Sequence, residues 1–494
     1  MSFPRRAGVL LHPTSLPGPH GIGELGSAAH DWVEFLERSR MKLWQVLPLG
    51  PTGFGDSPYQ SFSSFAGNPY LVSPKLLVED GLLLRDDLAA TPGFAPDTVD
   101  FGPVIAWKLG LLARAFERFE ASRGPIVEEF EAFASSQRAW LDDFALFMAL
   151  KESLRRPWTE WDESLLLRRP GALAAARERL AGAVAAQRFR QFLFFRQWQA
   201  VRVHAHAAGI RIVGDVPIFV AHDSADVWAH PELFELDAHG RPTAVAGVPP
   251  DYFSPTGQLW GNPLYRWEVL ARAGYAWWID RLRATLAMVD IVRLDHFRGF
   301  ETHWRIPADA PTAETGRWVP GPGRAMFDAL RTALGELPLI AEDLGEVTPE
   351  VYELRDALGL PGMKILQFAF GSDAHDPFLP HNFSRYSVVY TGTHDNDTTR
   401  GWYEKTSTPA ERDYARRYMR TNGDDIAWDM IRLAFASVAD TAIVPLQDVL
   451  DVGPEGRMNL PGRLAGNWGW RFREGALRPA HEERLQELAA LYGR

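Results

Sequence analysis

The sequence predicts an α/β fold built as a (β/α)8 TIM barrel with inserted helical and loop subdomains, and two patterns indicate it. Short apolar runs recur along the chain, and they are hydrophobic throughout rather than alternating with polar residues. Runs of this kind fit strands that are buried on both faces of a parallel sheet. Amphipathic helical segments separate most of these runs, and eight alternating strand and helix units favour a closed barrel.

The candidate strands and helices are delimited by polar, glycine or proline residues. The strands are Gly8–Leu11, Leu43–Leu47, Ile210–Asp215, Val289–Leu294, Pro338–Ala341, Met363–Phe368, Ser387–Tyr390 and Ala442–Val444. The clearest helices are Ala28–Ser39, Arg266–Met288, Gly323–Leu334 and Glu350–Leu358.

Three stretches interrupt this alternation and predict insertions in a single domain over residues 1–494. Residues 101–208 have an almost wholly helical pattern and predict a helical subdomain after strand two. Residues 217–265 are rich in proline, glycine and aromatic side chains, which predicts an elaborated loop subdomain after strand three. Residues 452–473 form an irregular stretch after strand eight.

Composition and charge exclude several classes of function. The formal net charge is −11 and the basic residues are scattered, so no basic stripe is available to bind nucleic acid. The absence of cysteine excludes disulfides, thiolate metal sites and cysteine nucleophiles, and it agrees with a reducing compartment. The N-terminal apolar run is too short for a signal peptide, and no stretch has the apolar length of a membrane span. We therefore expect a cytoplasmic protein without a nucleic-acid or membrane partner.

Acidic residues end or follow five of the predicted strands, at the edge where barrel enzymes place their sites. They are Asp215, Asp295, Glu342, Asp343, Asp395, Asp397 and Asp448. Arg293 and Asp295 are two residues apart in strand four, so both side chains point to the same face. Arg293 is expected to keep the Asp295 carboxylate ionised at neutral pH, as a glycosidic nucleophile requires. The alternative is a structural ion pair at the barrel rim.

Glu342 directly follows the apolar run of strand five, so its surroundings are expected to be poorly solvated. Desolvation raises the pKa of a carboxyl group and keeps it protonated, as a general acid requires. The alternative is a structural acid at a helix N-terminus. However, Thr348 and Pro349 provide the better start for the helix that follows.

His394 and Asp395 lie in a turn rich in glycine and threonine after strand seven, where side chains can converge on a ligand. The cluster could also bind a metal, but it has neither EF-hand spacing nor a second histidine at zinc spacing. We expect no metal and no cofactor. Three acids on three strands, one paired with arginine, suit retaining glycoside chemistry, in which one carboxylate attacks the anomeric carbon and another protonates the leaving oxygen.

Motifs along nearly the whole chain identify it as similar to the 4-α-glucanotransferases (amylomaltases, or disproportionating enzymes) of glycoside hydrolase family 77, in the α-amylase clan. The segments that carry the resemblance are LHPTSLPGPHGIGELG (Leu11–Gly26), GDSPYQSFSSFAGNPYL (Gly55–Leu71), GDVPIFVAHDSADVW (Gly214–Trp228), GVPPDYFSPTGQLWGNPLY (Gly247–Tyr265), RLDHFRGF (Arg293–Phe300), AEDLG (Ala341–Gly345), GTHDNDTTRGW (Gly392–Trp402) and RMNLPGRLAGNWGWR (Arg457–Arg471).

The resemblance implies specific roles for these residues. Asp295 would be the nucleophile, Glu342 the general acid and then the base, and Asp395 the group that stabilises the oxocarbenium-like transition state. The implied substrate-binding residues are Tyr59, Asp215, Arg293 and His394 around the donor sugar, and Tyr252, Phe253, Trp260 and Asn467 in loops of the acceptor side. The C-terminal β-sandwich domain usual in the clan is expected to be absent, because few residues follow strand eight. The chain has Thr302 and His303 where the family pattern has a smaller residue and an aromatic, so no contact is carried over there.

The same three acids would serve an α-glucan hydrolase, and a non-catalytic glucan-binding barrel and a metal-dependent hydrolase are further alternatives. A lid formed by Tyr252, Phe253 and Trp260 favours transfer, because it would exclude water from the intermediate and position an acceptor. An ordinary surface loop is the alternative for these rings. We expect 4-α-glucanotransferase activity, with maltooligosaccharides and starch-type or glycogen-type α-1,4-glucans as binding partners. The oligomeric state is not defined by the sequence.

Overall fold

A parallel sheet of eight strands lies at the centre of the fold, within residues 4–250, 254–463 and 465–494 that the computed structural model describes. The strands of these residues are β1 (Arg6–Leu10), β2 (Leu43–Gln45), β3 (Arg211–Pro217), β4 (Ala244–Val248), β5 (Gln258–Pro263), β6 (Ile291–Asp295), β7 (Thr302–Pro307), β8 (Arg317–Pro320), β9 (Leu339–Ala341), β10 (Gly362–Ile365), β11 (Ser387–Tyr390) and β12 (Thr441–Pro445). The central sheet has the order β10-β11-β12-β1-β2-β3-β6-β9. Each of the eight predicted strands overlaps one of these strands, which confirms the predicted barrel.

Two contacts join the outer strands β9 and β10 and bring the sheet close to a closed barrel. The amide of Ala341 donates to Pro361 O at 3.0 Å, and the amide of Met363 donates to the Asp343 carboxylate at 2.7 Å. Arg355 forms an ion pair with the same carboxylate. Asp343, one of the acids that follow a predicted strand, therefore links the two outer strands.

Helices pack against the central sheet and against one another. They are α1 (Ser27–Arg38), α2 (Pro74–Glu79), α3 (Arg85–Ala89), α4 (Phe101–Ala121), α5 (Pro125–Ser136), α6 (Arg138–Leu154), α7 (Glu163–Leu166), α8 (Pro170–Arg179), α9 (Ala181–Ala207), α10 (Ala225–Ala229), α11 (Trp267–Arg272), α12 (Ala276–Met288), α13 (Gly323–Leu334), α14 (Pro349–Leu358), α15 (Thr399–Gly401), α16 (Pro409–Met419), α17 (Ile426–Ala436), α18 (Leu446–Val449) and α19 (Pro479–Leu491). The prediction of one helix over Arg266–Met288 is wrong, because the helix is interrupted between α11 and α12. Gly274 and Tyr275 adopt φ angles of 63° and 57°, in the left-handed region that ends a right-handed helix.

The range 101–208 contains helices α4 to α9, and two glutamines of α9 fix a loop of the barrel. Gln191 accepts from the amide of Gly67 at 2.8 Å and donates to its carbonyl at 2.9 Å. Gln197 accepts from the amide of Ser73 at 2.7 Å and donates to its carbonyl at 3.4 Å. The helical stretch thus orders the loop that begins near Tyr59.

A second, antiparallel sheet has the order β5-β4-β7-β8 and is not predicted by the sequence pattern. Two of its strands lie in the range 217–265, for which only a loop subdomain was expected. Glycines at 247 and 261 and a shift of register between Val245 and Gly247 disguise the alternation of these short strands. Val245 packs with Ile306 and Ala313 in a small hydrophobic cluster on this sheet.

The segment 452–473 carries no strand in its described part, and backbone contacts fix its end to the N-terminal region. Ser15 Oγ donates to Trp470 O at 2.8 Å, and the guanidinium of the buried Arg471 donates to the carbonyls of Leu16 and Gly18. Among the described residues no strand follows β12, and α19 is the last helix. None of the described helices has the length and apolar character that a membrane crossing requires.

Candidate active site

Strand register brings the predicted acids together at the carboxyl ends of three neighbouring strands. Asp215 of β3 is paired with Arg293 of β6, and Pro217 is paired with Asp295. The pairing of β6 with β9 ends at Leu294 and Ala341, so Asp295 and Glu342 follow side by side. Adjacent strands lie about 4.8 Å apart, so the two side chains start from neighbouring backbone positions, as the ~5 Å carboxylate separation of retaining enzymes requires.

The guanidinium of Arg293 joins two of these carboxylates. Its Nη1 lies 2.8 and 2.7 Å from the two oxygens of Asp215 and 2.8 Å from Asp295 Oδ1. The Arg293 side chain is 3% exposed and that of Asp215 is fully buried, whereas Asp295 keeps 25% of its side chain exposed. The buried Arg293 therefore orients Asp295 from the barrel interior, while part of the Asp295 side chain stays accessible to solvent.

The expectation that Arg293 keeps Asp295 ionised at neutral pH is wrong, because burial raises the pKa of Asp295 by more than Arg293 lowers it. Burial raises the pKa of Asp295 to about 7, although Arg293 opposes this effect. The negative charges of Asp215 and Asp395 raise it further. Asp215 already shares the guanidinium, so Arg293 compensates two carboxylates rather than one.

Glu342 is held beside Asp295 by a backbone hydrogen bond. The amide of His296 donates to Glu342 Oε2 at 2.6 Å. Burial raises the pKa of Glu342 well above its ordinary value, and the charge of Asp295 acts in the same direction. This direction confirms the expected desolvation. Helix α14 begins only at Pro349, with Thr348 at its N-cap position, so Glu342 does not belong to a helix terminus.

A second group of side chains surrounds Asp395. His394 Nε2 lies 3.4 Å from Asp395 Oδ2, and the Tyr59 ring stacks on the His394 ring with centroids 5.2 Å apart. The hydroxyl of Tyr59 donates to Asp215 Oδ2 at 2.8 Å. Tyr59 therefore connects the Asp215–Arg293 pair to the turn that carries His394 and Asp395.

The polar residues next to Asp395 have partners within their own turn. Asn396 Oδ1 accepts from the amide of Thr393 at 2.8 Å, and Asp397 accepts from the amide of Thr398 at 2.8 Å. In the part of the chain that the structure describes, no group of three or more histidine or acidic side chains is arranged to hold a metal ion.

The predicted acceptor-side residues are only partly described. Tyr252 and Phe253 lie outside the described residues. Trp260 packs edge-on against the ring of His296, the residue that follows Asp295, with centroids 4.9 Å apart. Asn467 uses its side chain within its own loop, because it accepts from the amide of Leu460 at 3.0 Å and donates to Arg463 O at 2.9 Å.

Several residues of the site were not singled out from the sequence. His296 is partly buried, adopts φ 53° and donates its backbone amide to Glu342. Asn459 Nδ2 donates to Asp395 Oδ1 at 2.6 Å, and Trp468 packs beside Tyr59 with centroids 5.7 Å apart. The motif around residues 457–471 signals this region, but spacing alone does not reveal these contacts. His303 is 1% exposed and packs against Phe219, so it belongs to the core.

Comparison with known proteins gives matches over nearly the full length of the chain. A family model described as 4-alpha-glucanotransferase covers residues 11–477. A 4-alpha-glucanotransferase of Thermus thermophilus is 54% identical, with 99% of each chain covered. One from Synechocystis sp. is 50% identical, covering 99% of this chain and 98% of its own.

Solved structures give the same result. An amylomaltase from Streptococcus agalactiae in complex with acarbose has a TM-score of 0.96 at 39% identity, with 99% of both chains covered. An amylomaltase from Corynebacterium glutamicum has a TM-score of 0.80 at 21% identity, covering 99% of this chain and 75% of its own, and supports the fold alone.

Proposed function

Because the chain belongs to the 4-α-glucanotransferases of glycoside hydrolase family 77 and shares their retaining transfer activity, we propose that Asp295, Glu342 and Asp395 are its catalytic residues. The observation that carries this proposal is the pairing of Asp295 with Glu342 on adjacent strands. One carboxylate is bound to a guanidinium and the other to a backbone amide, so the two have different tasks. The acid bound to Arg293 is the one that can be ionised more easily.

In the first step Asp295 attacks the anomeric carbon of the donor glucose unit. A bond forms between a carboxylate oxygen of Asp295 and this carbon, while the bond to the glycosidic oxygen breaks. Glu342 transfers its proton to the departing oxygen, and the released glucan carries the new hydroxyl group. Because Arg293 binds Asp295 Oδ1, the free Oδ2 is the oxygen we assign to the attack.

In the second step the reaction runs in the opposite sense with a new partner. Glu342, now ionised, removes the proton from the 4-hydroxyl of an acceptor sugar. The acceptor oxygen bonds to the anomeric carbon, and the ester to Asp295 breaks. Two inversions give net retention, and both side chains return to their starting protonation states.

The remaining residues bind the donor sugar. We assign to Asp395 the role of accepting hydrogen bonds from sugar hydroxyls and stabilising the positive charge of the transition state. Tyr59 offers an aromatic ring for the donor unit, and His394 supports it from the other side of the stack. Asp215 binds Arg293 and so orients Asp295 indirectly.

Transfer is favoured over hydrolysis when an acceptor sugar occupies the site from which water would attack. Trp260 lies beside His296, close to the two reacting acids, and provides an apolar surface for an acceptor ring. We assign Tyr252, Phe253 and Asn467 to the same side. A bound acceptor has a large effective concentration relative to water, so the intermediate is captured by sugar.

The substrates we propose are maltooligosaccharides and longer α-1,4-glucans of the starch or glycogen type. A polysaccharide chain needs an open cleft, and the half-exposed side chain of Asp395 and the partly exposed Asp295 provide access to it. The structural relative from Streptococcus agalactiae was solved with acarbose, which supports a glucan-like ligand for this site.

Incubation of the protein with maltotriose tests this function. We expect a ladder of longer and shorter maltooligosaccharides together with glucose, and almost no increase in total reducing ends. Growth of reducing ends in step with product formation would indicate a hydrolase, and binding without any product would indicate a non-catalytic glucan-binding protein. Loss of activity on addition of a chelator would favour a metal-dependent hydrolase.

A further inference from the structure

The carboxylate of Asp395 has few contacts that could fix its orientation. Its side chain is 42% exposed, and His394 Nε2 approaches Oδ2 only to 3.4 Å. The hydrogen bond that it accepts from Asn459 Nδ2 is much shorter, at 2.6 Å to Oδ1. A half-exposed carboxylate rotates easily about its side-chain bonds, so this bond is the strongest restraint on its plane.

Asn459 is itself fixed against the backbone of the same turn. Its backbone amide donates to His394 O at 3.0 Å, and its backbone carbonyl accepts from Arg457 Nε at 2.8 Å. Arg457 Nη2 donates to Asp395 O at 2.7 Å. The segment of Arg457 to Asn459 therefore holds both residues 394 and 395, through backbone and side chain together.

The other side of this segment is also anchored. The amide of Trp468 donates to Met458 O at 2.7 Å, and its ring packs beside those of Tyr59 and His394. The position of Asn459 is thus defined by the donor-side rings as well as by Arg457. A residue held on both sides can transmit that order to the carboxylate it binds.

We propose that Asn459 is a positioning residue of the transfer reaction, which acts by fixing the plane of the Asp395 carboxylate. Its side-chain amide donates to Asp395 Oδ1, so Oδ2 is directed to the sugar hydroxyls and to the positive charge of the transition state. This inference rests on the proposed role of Asp395. Asn459 is not assigned a contact with the substrate, and its effect should therefore appear in the chemical step rather than in substrate binding.

Replacement of the side chain gives the first test. Asn459→Ala should lower kcat about 10-fold to 100-fold, the usual effect of losing a hydrogen bond to a charged group, while KM for maltotriose changes less than about 3-fold. Arg463→Ala is the matched control, because it removes an exposed side chain from the same loop and leaves the bonds of Asn459 intact. A rise in KM with unchanged kcat would overturn the proposal.

A double-mutant cycle separates positioning from an independent role. In the Asp395→Ala background, Asn459→Ala should cause no further loss, because the carboxylate that it orients is absent. The residual activity is measured with an α-maltosyl fluoride donor, whose leaving group needs no protonation. A second loss of the same size as in the wild-type background would show that Asn459 acts independently of Asp395.

Asn459→Asp gives a test that does not depend on a smaller side chain being tolerated. The new carboxylate keeps the length of the side chain but cannot donate to Asp395 Oδ1, so kcat should fall at least as far as in Asn459→Ala. Normal kcat in Asn459→Asp would contradict the proposal. If Asp395→Ala itself retained normal activity, the proposed catalytic set would fail. Normal kcat in Asn459→Ala alongside an inactive Asp395→Ala would overturn only the positioning role.

Discussion

The backbone amide of His296 donates a 2.6 Å hydrogen bond to Glu342 Oε2. His296 follows β6 and Glu342 follows β9, so this bond ties together the ends of the two strands that carry the proposed nucleophile and the proposed acid. Because Oε2 accepts this hydrogen bond, we assign the transferable proton to Oε1. His296 adopts φ 53°, in the left-handed region, directly after β6, a strained conformation of the kind that clusters at functional sites.

The shifted pKa values predict the pH dependence of activity. The free enzyme needs Asp295 ionised and Glu342 protonated, and burial raises the pKa of Asp295 to about 7 and that of Glu342 well above its usual range. The value of kcat/KM for maltotriose should therefore rise as pH increases through 7 and fall at higher pH, where Glu342 loses its proton. The measurement is kcat/KM between about pH 5 and pH 10. A value already at its plateau at about pH 5 would contradict this assignment.

The same shift predicts a pH-dependent cost to stability. The pKa of Asp295 is raised from 3.8 to about 7 in the folded state, so the folded protein binds more protons than the unfolded chain between these values. Stability should fall as pH rises across this window, by up to about 4 kcal/mol at about 1.4 kcal/mol for each pKa unit. Asp295→Asn removes the ionisable group, so its thermal midpoint should exceed that of the wild type more at about pH 8, above the window, than at about pH 4.5, near its lower end. An equal difference in thermal midpoint at both pH values would count against a buried carboxyl group whose pKa is raised.

Trp260 offers a test of the preference for transfer. Trp260→Ala removes the indole beside His296, so water should compete better with the acceptor and the hydrolysis share of turnover should rise several-fold. The share is measured as new reducing ends relative to glucose released from maltotriose. Leu259→Ala is the matched control, because Leu259 is the preceding residue of β5, is 44% exposed and points to the opposite face. Equal product ratios in both variants would remove Trp260 from the acceptor side.

Asp448 is predicted to be a structural support of the turn that carries Asp395. Its buried carboxylate accepts from the hydroxyl of Thr391 at 2.5 Å and from the amide and hydroxyl of Thr399, each at 2.7 Å. Asp448→Ala leaves these donors unpaired and should lower the free energy of unfolding by about 2–4 kcal/mol. Asp451→Asn is the control, because its partner Arg400 is exposed, the pair should contribute less than about 1 kcal/mol, and asparagine tolerates the φ of 52° at this position. Denaturant unfolding of both variants compares them, and equal losses would contradict the supporting role.

Sequence patterns could predict the barrel and the acids at its rim because both depend on local order. The run Ser387–Tyr390 is apolar throughout and forms β11 with the predicted bounds. Asp295 and Glu342 follow such runs directly, and parallel strands necessarily present these ends at the same edge.

The roles that sequence patterns did not resolve depend on neighbours that are distant in the chain. Asp343 and Asp448 follow strands just as Glu342 does, yet each is bound by donors from another strand or loop and has a structural task. The pKa of Asp295 depends on Asp215, because the carboxylate of Asp215 binds the same guanidinium of Arg293 and its negative charge raises the pKa of Asp295. Neither relationship follows from residue spacing.

The most direct measurement of the central claim is the trapping of a glycosyl ester on Asp295. In Glu342→Gln an α-maltotriosyl fluoride donor can still react, because fluoride leaves without a proton, but no base remains to activate the acceptor. Mass spectrometry of the digested protein should show one maltotriosyl group on the peptide that contains Asp295, and Asp295→Asn should abolish it. An adduct on another residue, or continued transfer without any adduct in Asp295→Asn, would contradict the proposed mechanism.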